Sequence, residues 1–203
     1  MKLICYNIHK GMDEFRRITL FQLIKYLKSL DADVICLQEV LYYQFKLMKT
    51  LLNMDGIFGL HVNRKRMKFG ICILSKNKII NKEHVLLSSK TEQRGLVSID
   101  TKKYTIINTH LGLDIEERQT QISEILNFAK SKNNNVIICG DFNEKNISLC
   151  SYEDVAQKLN KNLLPTFNKH RIDYVFISKT IHIKSYEVEK VFYSDHYPII
   201  VQI

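Results

Sequence analysis

The chain has 203 residues, 45% hydrophobic and 25% charged, with 30 Lys and Arg against 21 Asp and Glu for a formal charge of +9. That length can bury one sizeable core, and the composition is that of a globular chain, which argues against disorder. No apolar run approaches the roughly 18 residues of a spanning helix, so membrane insertion is not expected.

Residues 1–7 turn polar too soon for a secretory signal, which places the chain in the cytoplasm, as one domain over 1–203 with no obligate protein partner in view. Cys5, Cys36, Cys72, Cys139 and Cys150 form no C-x-x-C pair, and four of them sit in apolar runs. They read as small core hydrophobes of a reducing compartment. The positive charge attracts polyanions and favours a nucleic-acid partner, although the excess of Lys over Arg and the abundance of Asn and Ile make part of it compositional bias.

Residues 2–6 form a short apolar strand and 7–17 a polar loop; over 18–30, Leu20, Leu23, Ile24, Leu27 and Leu30 recur at helical spacing. A buried strand over 33–37 delivers Gln38 and Glu39 at its end, and a second helix covers 43–52. Strands over 57–62, 69–74, 79–87, 95–99 and 104–109 alternate with short polar turns, as hairpins do. A helix over 115–131 sets Ile122, Ile125, Leu126 and Ala129 on one face, and the strand 136–139 runs into Gly140-Asp141-Phe142-Asn143. A short helix over 151–159 and strands over 172–177, 181–188 and 197–203 complete the chain, with no solenoid repeat or linker. Strands alternating with helices early, and hairpins in the middle, predict two sheets with helices outside them.

Polar groups recur at the strand ends: Asn7, Gln38 with Glu39, Thr109 with His110, Asp141 with Asn143, Asp173, and Asp195 with His196. Strand ends commonly face a shared crevice on a rigid scaffold, and packing does not explain so many carboxylates, histidines and asparagines there. The set suits a hard divalent cation such as Mg2+, which takes a few carboxylate oxygens, water and substrate phosphate. Glu39 is the best ligand and Asp195 a candidate for the same or a second ion. Asp141 is placed to take the proton of an attacking water and Asn143 to position water or phosphate. His110 and His196 would neutralise charge on the phosphate oxygens, each with its other ring nitrogen held by a carboxylate.

The ordered set Tyr6-Asn7-Ile8-His9, Gln38-Glu39, Thr109-His110-Leu111, Gly140-Asp141-Phe142-Asn143, Arg171-Ile172-Asp173-Tyr174 and Ser194-Asp195-His196-Tyr197-Pro198 resembles the endonuclease/exonuclease/phosphatase superfamily, over nearly the whole chain. Six motifs in one order make a specific signal. The resemblance implies an α/β fold, a four-layer αββα sandwich of two packed mixed β-sheets flanked by helices. It implies Asn7, Glu39 and Asp195 at the metal, with Mn2+ able to replace Mg2+, Asp141 and Asn143 at the nucleophilic water, and Asp173 as carboxylate partner of His196. His110 matches a second phosphate-contacting histidine of the deoxyribonuclease-like branch, and Arg94 an arginine that precedes a central strand and reaches a phosphate. The segments 6–11 and 109–119 look like bacterial proteins labelled only as metal-dependent hydrolases.

The expected activity is a magnesium-dependent phosphodiesterase, a nuclease acting on DNA or another nucleic acid by in-line attack of water. The alternatives are a phosphatase or phospholipase acting on a small or lipid phosphoester, and a noncatalytic binding module of the same fold. The 163–171 region is compressed relative to larger relatives, and no acidic residue stands among Arg64, Lys65, Arg66, Met67, Lys68 and Phe69 to hold His110. His9 either lines the site or hydrogen-bonds within its loop. His61, His84, His170 and His182 read as surface or edge-strand residues, the cluster Arg64, Lys65, Arg66 and Lys68 as a solvated hairpin turn ahead of a phosphate-backbone rail, and Tyr42 and Tyr43 as helix packing ahead of base-stacking platforms.

Overall fold

The computed structural model describes residues 1–64 and 67–203; Lys65 and Arg66 of the basic hairpin cluster lie outside the described residues. In chain order the elements are β1 Lys2–Asn7, a 3-10 turn His9–Gly11, α1 Leu20–Ser29, β2 Val34–Leu41, α2 Tyr42–Leu51, β3 Asp55–Arg64 and β4 Met67–Ser75. Then come β5 Asn81–Leu87, β6 Arg94–Asp100, β7 Tyr104–His110, α3 Ile115–Lys130 and β8 Asn135–Asp141. The last are β9 Tyr152–Asp154, α4 Val155–Lys158, β10 Asp173–Ser178, β11 Ser185–Val188 and β12 Ile199–Gln202.

Two six-stranded sheets result, ordered β11-β12-β1-β2-β4-β3 and β5-β6-β7-β8-β10-β9. Each is mixed, with one parallel pair at its centre, β1 with β2 and β7 with β8. A parallel pair needs a crossover, which α1 and α3 supply. The two sheets therefore share one topology although the sequence carries no repeat.

Strand alternation builds the layers. In β1, Leu3 and Cys5 point into the core between the sheets, while Ile4 and Tyr6 point outward beneath Leu20, Leu23, Ile24 and Leu27 of α1. In β8, Ile137 and Cys139 point inward, and Val136 and Ile138 outward beneath Ile125 and Ala129 of α3. The result is the expected αββα sandwich, in which each fully buried Leu or Ile contributes about 2 kcal/mol. Cys5, Cys36, Cys72 and Cys139 are buried and free, as their apolar settings implied. Among the described residues no helix is long and apolar enough to cross a membrane.

Three elements differ from expectation. The helix over 151–159 is a short edge strand, β9, followed by the single turn α4, because 152–154 pair with β10 while Asp154 caps the turn by accepting from Ala156 N. Of 181–188 only β11 is strand; Ile181 and Ile183 instead plug the intersheet core. The last strand begins at Ile199, since Pro198 has no N–H and Tyr197 N donates to Thr166 O (2.7 Å). His61 is also corrected: on edge strand β3 it is buried, whereas His84, His170 and His182 are exposed.

A bulge in β2 connects the fold to the site. Pairing with β4 runs Leu37↔Cys72 and then Val40↔Gly70, so β2 holds one extra residue there, and Glu39 adopts φ 54°. Asn108 of β7 spans the gap between sheets at this point: its Nδ2 donates to Leu37 O and Cys72 O, both at 2.9 Å, and its Oδ1 accepts from Gln38 Nε2 at 2.6 Å. Asn108→Ala would strip three buried hydrogen bonds and leave a cavity, and is expected to lower unfolding free energy by about 3 kcal/mol in urea denaturation.

His61 generates a second expectation. Burial first, then His84 and Arg94, lower its pKa to about 3. Its unfolded value is about 6.5, so its neutral form contributes stability that is complete above that pH and lost as pH falls toward about 3. Between about pH 7 and pH 5 the loss is about 2 kcal/mol, and His61→Leu should flatten the acid dependence of the urea midpoint by that amount.

Candidate active site

The C-terminal ends of the four central strands converge at one edge of the sandwich. Parallel pairing sets Asn7 opposite Gln38 in one sheet and His110 opposite Asp141 in the other. Gly140 permits this in the second sheet: its φ is 147°, and a Cβ there would lie 2.1 Å from Thr109 O. Across the sheets, Asn7 Nδ2 donates to Asp141 Oδ2 at 2.9 Å, while Asn7 Oδ1 accepts from His9 N at 3.1 Å.

Asp141 is the hub. Its Oδ2 also lies 3.6 Å from His110 Nε2 and 3.7 Å from His196 Nε2, and its Oδ1 accepts from Asn143 N at 2.9 Å. Burial first, and the neighbouring Asp173 carboxylate second, raise its pKa into the neutral range, which suits a base. Asp173 faces Asp141 across the β10–β8 pair and accepts from His196 Nδ1 at 2.9 Å. Burial alone would lower the His196 pKa, but Asp173, reinforced by Asp141 and Asp195, outweighs it and lifts the imidazolium to about 10. The Asp173 carboxylate thus favours the protonated form of His196.

His110 differs. Its Nδ1 faces Arg94 Nη1 at 3.4 Å rather than a carboxylate. A guanidinium only donates, so Nδ1 accepts and Nε2 carries the proton toward Asp141. Burial and Arg94 hold His110 well below the usual histidine range, which makes it a neutral donor and corrects its expected role as a cation. Arg94 is corrected with it. The guanidinium is buried behind His110, with Glu92 Oε1 at 3.0 Å from Nη1, so it orients the histidine instead of standing open to a phosphate.

The remaining residues line the mouth. Glu39, aimed by the bulge, is ion-paired to Lys10 Nζ at 2.9 Å. Asp195 has His9 Nδ1 3.6 Å from its Oδ1, so His9 both lines the site and, through its backbone, closes its loop. Asn143, at φ 49°, donates from Nδ2 to Leu111 O at 2.8 Å, committing its amide nitrogen to the loop. His9, Lys10, Glu39 and Asn143 have left-handed backbone, as do six further non-glycine residues, among them Arg16, Asp31 and Asn53 away from the site.

Among the described residues, Asp141, Asp173 and His196 form a potential ligand cluster, with ligand atoms within 4.8 Å of one another. Its His196 Nδ1 and Asp173 Oδ2 are already bonded to each other, and a cation there would compete with an imidazolium. Glu39, Asn7 and Asp195 offer only oxygen donors, the ligand chemistry of a hard divalent ion, and an ion bound there would displace Lys10 from Glu39.

Several supporting residues carried no sequence signal of their own. Thr166 Oγ1 accepts from Ile172 N and Asp173 N at 3.2 and 3.1 Å, so the compressed 163–171 segment anchors the start of the strand that carries Asp173. Arg171 forks onto Asp154 at 3.0 and 2.6 Å. Arg118 donates to Gly112 O and Leu113 O and pairs with Glu144, tying the loop after His110 to the loop after Asn143. Phe167 packs on the His196 ring, centroids 4.6 Å apart.

A model of the endonuclease/exonuclease/phosphatase family matches residues 5–196, and the chain belongs to that family. Members of that family are phosphoester hydrolases that typically depend on a divalent metal. The uncharacterized protein YbhP of Escherichia coli K12 is 27% identical over 170 residues, 70% of this chain; the chain covers 66% of that protein, just under two thirds of its length. The fold recurs among solved structures. The mannosyl-6-phosphatase of Bacteroides thetaiotaomicron has a TM-score of 0.81 and 19% identity, over 100% of this chain and 98% of that one. The human nocturnin catalytic domain with bound sulfate has a TM-score of 0.81 and 18% identity, over 99% and 92%.

The Asp173–His196 pair makes a spectroscopic prediction. In the wild-type protein the His196 imidazole signal should stay that of the cation between about pH 5 and pH 8, whereas in Asp173→Asn it should titrate within that window, as read by side-chain NMR.

Proposed function

We propose that the protein is a magnesium-dependent phosphodiesterase, with manganese as substitute, that hydrolyses DNA or another nucleic-acid phosphodiester. The observation that carries this reading is the Asp141 carboxylate held by Asn7 at 2.9 Å, 3.7 Å from a cationic His196. The formal charge of +9 supports a polyanionic substrate. The buried free thiols fit a reducing cytoplasm.

Asn7, Glu39 and Asp195 would hold the ion, which when bound supplies Lewis acidity to a phosphate oxygen. Asp141 takes a proton from water as the water oxygen bonds to phosphorus and the bond to the leaving oxygen breaks. Asn7 orients the Asp141 carboxylate through its amide. His196, fixed by Asp173, places its Nε2–H and positive charge against the phosphate oxygens as negative charge accumulates. His110 adds a neutral donor, turned toward the same point by Arg94, and Asn143 shapes the loop that carries Asp141.

A second reading, hydrolysis of a small phosphomonoester, is favoured by the whole-length similarity to a mannosyl-6-phosphatase. Chelator-controlled hydrolysis of plasmid DNA, abasic DNA, RNA, sugar and inositol phosphates, and phospholipids separates the two. A steep loss of activity with salt marks a polyanion, and a flat response a small ester. Asp141→Asn and His196→Ala should each lower turnover about 10²–10⁴-fold with the melting transition retained. Full activity in either purified variant would overturn the mechanism.

A further inference from the structure

Beside the candidate site lies a groove of about 600 Å³ that the proposed chemistry does not use. That volume is within the range of about 300–1,000 Å³ typical of ligand sites. Three pieces of chain form it: Lys10 and Ile18 from the loop after β1, Tyr42 and Tyr43 at the start of α2, and Arg64 and Lys68 from β3 and β4. Lys10 joins the groove to the site, because the ammonium that lines the one lies 2.9 Å from Glu39 Oε2 in the other.

The lining combines exposed apolar surface with positive charge. Ile18, Tyr43 and Tyr42 are 80%, 58% and 39% exposed, and among the described residues no carboxylate lines the groove. Such surface, concave and contiguous with a reaction centre, differs from scattered exposed hydrophobics, which call for no explanation. Tyr42 is buttressed by Phe58 and Phe45, with ring centroids at 5.3 and 6.5 Å, and carries Lys46 and Lys68 over its ring at 5.3 and 5.9 Å. That leaves Tyr43 as the more exposed ring. The groove is also pre-formed: buried Gln44 accepts from Leu41 N at 3.0 Å and donates to Lys10 O at 2.6 Å, locking the α2 wall to the Lys10 wall.

We infer that this groove holds an unpaired nucleotide next to the scissile phosphate of a single-stranded nucleic acid, its base stacked on Tyr43 and its phosphate set between Arg64 and Lys68. Every base offers a π-face to an aromatic platform, and cations beside that platform track the backbone. An acyl chain would gain from Ile18 and the tyrosines but would leave three cations facing it. A duplex would keep its bases stacked on one another and away from Tyr43. The inference rests on the phosphodiesterase reading for the position of the scissile phosphate, but its binding part is measured without turnover.

The test uses the full chain. Fluorescence anisotropy follows a labelled single-stranded oligonucleotide in chelator, so that no cleavage intervenes, and bis(4-nitrophenyl) phosphate with magnesium reports the reaction centre alone. Tyr43→Ala should weaken oligonucleotide binding about tenfold, with Tyr43→Trp restoring it, and Lys68→Ala should flatten its salt dependence. Both alanine variants should hydrolyse the small diester at the wild-type rate. Unchanged oligonucleotide binding in Tyr43→Ala would overturn the inference. So would Tyr43-dependent binding to anionic phospholipid vesicles with none to the strand. If the wild-type protein binds the strand through Tyr43 and hydrolyses no phosphoester, the enzymatic reading fails and the groove stands. If it cleaves the small diester and ignores the strand, the groove fails and the reaction stands.

Discussion

Asn7 and Asp141 stand at the ends of central strands in different sheets, and the 2.9 Å hydrogen bond between them is possible only because the sheets pack at a fixed separation. That separation is set by small and branched residues facing each other across the core: Cys5, Cys36, Ile71 and Val201 from one sheet, Val97, Ile106, Cys139 and Val175 from the other. Packed interiors resist even methylene-sized changes, so the gap is a rigid length. Asn108, bridging from β7 to Leu37 and Cys72, holds it where the β2 bulge interrupts regular pairing. Glu39 is aimed by that bulge, so the candidate metal carboxylate and the candidate base depend on the same intersheet contact.

The second theme is how one small site keeps two histidines in opposite states. Both are buried, and burial alone would make both neutral. A carboxylate on Nδ1 of His196 and a guanidinium near Nδ1 of His110 split them, so one carries charge and the other only a proton to donate. Asp141 lies between them, with its own pKa raised by burial and by Asp173. An arginine thus occupies the place where the family resemblance led us to expect an acidic partner for His110.

Much of this was legible in the residues. The periodicities placed α1, α2 and α3 and most strands to within a few positions, and side chains of the ordered polar tetrads do meet at one edge. What local patterns missed were elements defined by distant partners. Residues 152–154 are strand only because β10 lies alongside, and Ile181 and Ile183 fill the core without pairing in a sheet. His61 looked like an edge-strand surface residue because nothing nearby in sequence announces that β6 covers it at Gly95. Tyr43 looked like helix packing, yet it is Tyr42, one residue earlier, that packs on Phe45 and Phe58.

The sequence by itself determined the family and the polar residues brought to one edge of the sheets, because motifs such as Gly140-Asp141-Phe142-Asn143 couple a backbone geometry to a particular side chain within a few bonds. It also determined the layers, since alternation along a strand decides which residues face inward. Only the tertiary structure decided the protonation states and the partners of those side chains. A pKa depends on burial and on charges that approach through space, and Arg94 meets His110, Asp173 meets His196 and Lys10 meets Glu39 only after two sheets and their loops have closed around one edge.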